Sequence, residues 1–153
     1  MTRYLILGAT MATLGSAQSQ AQGSSVPLAP DDYVSIRKAV MDLQQGVLGA
    51  MKAGVEQKAD VKPFMPGAKG LVASAQIIAT MFPAGTEKVN DTKALPAVWS
   101  DKADFAAKGK ALQEAAEKLV TLADADDKAG FAAQFGEVGK TCGACHRQYK
   151  AKE

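Results

Sequence analysis

The stretch Cys142-Gly143-Ala144-Cys145-His146, close to the end of a 153-residue sequence, constrains this chain more than any other. CxxCH is the pattern through which haem c is attached. The two cysteines form thioethers with the porphyrin vinyl groups, and the histidine that follows gives an axial nitrogen to the iron. The chain has two cysteines and one histidine in all, and the motif uses all three. Other readings fail for countable reasons. A structural zinc site needs four ligands, and no further Cys or His exists to complete one. A thioredoxin-like dithiol opens a helix that follows a strand, whereas here no strand pattern precedes Cys142. A disulfide leaves His146 without a role. The expectation is one covalent haem c, held by Cys142 and Cys145, with His146 as the proximal ligand.

Thioether attachment belongs to the outer side of the bacterial inner membrane, and the first residues fit such a route. In residues 1–21 Arg3 is the only charge, Tyr4 to Leu14 is largely apolar, and Ser19-Gln20-Ala21 offers a small-x-small cleavage site. The apolar run is too short to span a bilayer, so it reads as a signal peptide. A mature chain is expected to begin near Gln22, with Ala17 an alternative cut, and to form one domain over residues 22–153. No other stretch reads as a membrane span, which predicts a soluble periplasmic product. Removing Arg3 takes the net charge from +2 to +1, with no basic face to suggest nucleic acid. No spare histidine, nucleophilic cysteine or paired carboxylates remain for acid–base catalysis, so an enzyme is not expected.

Ala, Lys, Leu and Glu are abundant and no alternating pattern appears, which predicts an all-α fold. A first helix is expected over about Tyr33 to Val55, capped by Asp31 or Asp32. Val34, Met41, Leu48 and Val55 repeat along it, and Ile36, Val40, Leu43 and Val47 form a second stripe. A helix so broadly apolar should be buried against more than one neighbour. A second helix starts at Pro66, with Ala68, Leu71, Val72, Ala75, Ile78, Ala79 and Phe82 on its seam, and Pro83 ends it. After a long connection to Trp99, Ser100 or Asp101 caps a third helix bearing Phe105, Leu112, Ala115, Leu119 and Leu122. The acidic run from Asp124 to Asp127 begins a fourth, in which Phe131, Phe135, Val138, Cys142, Cys145 and Tyr149 step by four and three. Both cysteines thus fall on the inward stripe, so the predicted architecture is an antiparallel four-helix bundle with the haem inside it.

Three stretches carry a family resemblance: Arg37-Lys-Ala-Val-Met41, Phe82-Pro-Ala-Gly-Thr86 through Leu95-Pro-Ala-Val-Trp99, and Cys142 to Lys150. With them the chain resembles the class II c-type cytochromes, that is the cytochrome c′ family and its low-spin relatives, from about Tyr33 onward. The late position of CxxCH is the most telling part. The resemblance implies that Lys150 is the basic residue beside the proximal imidazole, that Arg37 contacts a haem propionate, and that Met41 faces the other side of the iron. Lys38 departs from the glutamine frequent at its position and affects a minor haem contact. Phe82 and Trp99 are expected in the core or the haem pocket.

Arg37 and Met41 are four residues apart, which puts them on one helix face and suits that division of roles. With one histidine in the chain, the sixth ligand is a methionine, an exogenous molecule, or nothing. Of Met41, Met51, Met65 and Met81, the first shares the face of Arg37. Ligation by Met41 describes a low-spin carrier that passes single electrons to and from redox-partner proteins. Packing without ligation describes a five-coordinate binder of nitric oxide or another small diatomic. The resemblance also implies a possible homodimer through the first two helices, for which Val40 or Val47 offers contact.

Overall fold

The computed structural model describes residues 28–152, so the expected leader and its cleavage site lie outside the described residues. Among the described residues there are five α-helices: α1 (Pro30–Glu56), α2 (Met65–Ile77), the four-residue α3 (Ala97–Ser100), α4 (Lys102–Asp124) and α5 (Lys128–Tyr149). No strand is present among the described residues. The chain is an all-α bundle of α1, α2, α4 and α5, with α3 set in the crossover between α2 and α4. None of these helices is long and apolar enough to cross a membrane.

Local chemistry places the starts of the helices. Asp101 caps α4 by accepting a bond from the Asp104 amide (3.3 Å), and Asp127 caps α5 by accepting from Gly130 (2.9 Å). At α1 the expectation is corrected. Pro30 has a preset φ and no amide hydrogen to satisfy, so the helix starts there. Asp32 lies inside the first turn and accepts from the Ala29 amide at 2.9 Å.

Helix α4 is the central element, packed most extensively against α2 and α5. Met51 of α1, Leu71 of α2, Leu119 of α4 and Phe131 and Val138 of α5 form the main core, each at most 2 % exposed. Full burial of a side chain of this size is worth about 2–3 kcal/mol. A second cluster, Val98, Phe105 and Tyr149, closes the end of the bundle where α5 finishes. Cys142 packs on the first cluster and Cys145 on the second, so the junction between the two cores falls at the motif.

Two expectations about burial are revised. The second stripe of α1 is only partly covered: Val40 and Val47 are half-buried, Val47 against the main core, whereas Leu43 is 72 % exposed and Ile36 36 %. α1 meets α2 and α5 along only part of its surface, and its buried positions are Val34, Arg37, Met51 and Gly54. The second helix keeps α geometry only to Ile77, then tightens to a 3₁₀ turn over Ile78–Met81. Pro83 disfavours helical geometry at the residue before it, and Phe82 leaves the helix with φ −125° and ψ 55°. The chain then reverses at Gly85, whose φ of +97° costs a glycine little.

The crossover is fastened to the tail of α5 by backbone bonds. The Leu95 amide donates to the Tyr149 carbonyl (2.9 Å) and the Ala151 amide to that of Lys93 (2.8 Å), an antiparallel bridge of one rung between Ala94 and Lys150.

Candidate functional site

The final turns of α5 bring Cys142, Cys145 and His146 together. All three border a small hollow of about 50 Å³ whose other walls include Ile78, Phe105, Lys108 and Leu112. Cys145 and His146 also border a cavity of about 390 Å³ between α5, α1 and the crossover. Across it α1 presents Val34, Arg37 and Met41, steps of three and four residues that keep them on one face. Phe82, Phe105 and Tyr149 supply aromatic wall.

Burial pushes the thiols of Cys142 and Cys145 above their ordinary range, so both are protonated at neutral pH. The His146 imidazole is pulled below its ordinary value, first by burial and then by the charge of Lys150. It is therefore neutral, the form whose lone pair binds a metal. Lys150 sits just past the helix, its amide bonded to the His146 carbonyl at 3.1 Å.

Arg37 is the most constrained polar group in the site. It is 7 % exposed, and its Nη1 donates to the Met81 carbonyl (2.8 Å) and Thr86 Oγ1 (3.2 Å), while Nη2 donates to Thr92 Oγ1 (3.2 Å). Its guanidinium lies 4.1 Å from the Phe82 ring centroid, within cation–π range. Burial lowers its pKa, though a guanidinium stays charged. All three of these bonded partners are neutral oxygens. Of the five N–H donors of an arginine, two have no bond among the described residues. A buried cation of this kind, on the wall of a cavity, is matched by an anion.

The remaining expected site residues fall in different places. Lys38 lies at the rim and forms an exposed ion pair with Asp91 of the crossover. Phe82 is on the cavity wall, under Arg37. Trp99 is behind that wall: it packs edge-on against Phe82 (5.9 Å) and its Nε1 donates to the Pro83 carbonyl (3.3 Å). Sequence reasoning missed Thr86 and Thr92, which hold Arg37, and Tyr149 as a wall residue whose hydroxyl donates to Asp104 at 2.6 Å. The threonines sit in an aperiodic connection and give no signal. Tyr149 was visible on the inward stripe of the last helix that includes the cysteines.

The donor set fits haem c. Two thiols and a neutral imidazole within five residues match two thioethers and one axial ligand. The cavity wall is largely apolar, as a porphyrin ring requires, and Arg37 offers charge to a propionate. No group of three or more His, Cys, Asp or Glu able to hold a bare metal ion exists among the described residues. Fold and site together define a bundle that binds haem c through its last helix.

Comparison with known proteins gives the same class. The cytochrome c′ family model matches residues 32–150. Cytochrome c′ of Rhodospirillum rubrum is 32 % identical over 154 residues, covering 99 % of each chain. A solved cytochrome c′ with an unusual ligand-controlled dimer dissociation superposes with a TM-score of 0.77 at 25 % identity, over 82 % of this chain and 99 % of that one. A nitric oxide complex of a cytochrome c prime mutant from Alcaligenes xylosoxidans superposes at 0.74 with 32 % identity, over 83 % of this chain and 100 % of the other. The chain belongs to the cytochrome c′ family, a class II c-type cytochrome with one covalent haem c.

Proposed function

We propose that this cytochrome binds nitric oxide or a similarly small neutral diatomic on the side of the haem opposite His146. One observation carries the reading. Val34, Met41 and Phe82 give the cavity that His146 borders an apolar part, beside the charged Arg37 and Lys38, and the chain has no second histidine to serve as a further iron ligand. Bound there, haem c would supply an iron that exchanges one electron and takes up small ligands. Cys142 and Cys145 would tether the ring, His146 would offer its neutral imidazole to the iron, and Arg37 would pair with a propionate. Val34, Met41 and Phe82 would disfavour water next to them and leave room for a small apolar molecule. The relative solved with nitric oxide supports this reading.

A second reading rests on Met41 itself, whose thioether lines the same cavity. With Met41 as sixth ligand the protein is a low-spin electron carrier that serves exported redox partners. We infer in either case a non-enzymatic protein of the periplasm. The exposed Ile36 and Leu43 of α1 support a homodimer in which a second copy covers that face.

Optical spectra of the holoprotein and of Met41→Ala separate the readings. The expected result is a broad high-spin spectrum in both, altered by nitric oxide or carbon monoxide, with faster uptake in the variant because its pocket is wider. A ferric band near ~695 nm that disappears in Met41→Ala assigns Met41 as a ligand and rejects the open site.

A further inference from the structure

Beside the motif, α4 presents two opposite charges that neither reading uses. Asp104 and Lys108 stand one helical turn apart, with Nζ 3.4 Å from Oδ1 and side chains 37 % and 30 % exposed. The pair is built into the site from two directions. Lys108 borders the small hollow together with Cys142, Cys145 and His146. Asp104 accepts the hydroxyl bond of Tyr149 (2.6 Å), which is 3 % exposed, borders the large cavity and lies one turn beyond Cys145 on α5.

Asp104 is ionised: the Tyr149 bond first, and the Lys108 charge after it, hold its carboxyl below the usual range. Cys145 packs against the cluster of Phe105 and Tyr149, and Lys108 borders the same hollow as both cysteines. Two charges of opposite sign therefore act on the same end of the site.

We propose that Asp104 and Lys108 set the reduction potential of the haem from its thioether side, in opposite directions. Loss of one electron adds one positive charge to the haem. A carboxylate nearby favours that ferric state and an ammonium disfavours it. Lys108 borders the motif directly and Asp104 reaches it through Tyr149, so Lys108 has the larger effect. The inference depends on covalent haem alone and holds whether or not Met41 binds iron.

Potentiometric titration of the purified holoprotein tests it. Asp104→Asn retains an acceptor for Tyr149 and raises the potential. Lys108→Met lowers it by more, and the double variant falls between the two. Unchanged ferric spectra and unfolding temperatures show that the shifts come from charge, because a purely structural role has no reason to move the two single variants apart. If Asp104→Asn does not accumulate, the lysine decides alone: Lys108→Arg keeps the parent potential and Lys108→Met lowers it. A parent-like potential in either Asp104→Asn or Lys108→Met, or shifts of the same sign in both, overturns the proposal. The gas-dependent spectrum is a separate measurement, so failure here leaves the assignment of the open face untouched.

Discussion

Cys142→Ser/Cys145→Ser, produced beside haem-attachment machinery, yields a chain that loses all its pigment to acidified acetone, whereas the parent chain stays coloured. Serine approximates cysteine in size but forms no thioether with a vinyl group, so the covalent link disappears. Fold is the lesser concern. Both cysteines are only partly buried, Cys142 on the first core and Cys145 on the second. The contrast is all or none. Single variants are expected to keep one thioether and a weakened attachment. Pigment that resists extraction from the double variant sinks the assignment of these two sulfurs.

Arg37→Ala is the second large effect, and it falls on stability as well as on the cofactor. Three hydrogen bonds and a stacked ring are lost together, leaving the Met81 carbonyl and the Thr86 and Thr92 hydroxyls without that donor. A buried acceptor left unpaired costs about 1–3 kcal/mol, and the hydroxyls recover part by turning to other partners, as Thr86 already does in donating to the Pro83 carbonyl (2.9 Å). The expected destabilisation is about 2–4 kcal/mol, read as a lowered urea midpoint. Arg37→Lys recovers little, since one ammonium cannot span three acceptors and the Phe82 face at once. A midpoint within experimental scatter of the parent contradicts the bonding described for this side chain.

The parts of this molecule that were readable in its sequence are those fixed by local chemistry. CxxCH needs three residues of particular kinds at particular spacing, and the caps at Asp101 and Asp127 need only an acceptor three residues ahead of an amide. The face shared by Arg37 and Met41 followed from helical period alone. What stayed hidden depends on distant segments meeting. The Phe82 ring lies under Arg37 only because the chain leaves the 3₁₀ turn after α2 at Phe82, before Pro83, and Thr86 and Thr92 reach the guanidinium only once the crossover has closed. The apolar stripe of Ile36 and Leu43 misled for a related reason. Periodicity reports which residues share a side, and whether anything covers that side is decided elsewhere.

The rung between Ala94 and Lys150 has a kinetic meaning. Its two backbone bonds join segments more than fifty positions apart, and they tie the crossover to the buried Tyr149, against whose cluster Ala94 packs. A contact so distant in sequence forms late, after the local turns of the helices around Leu119 and Phe131. The wall of the cavity beside His146, to which Lys93, Ala94 and Lys150 belong, is therefore completed only after the bundle behind it has been built.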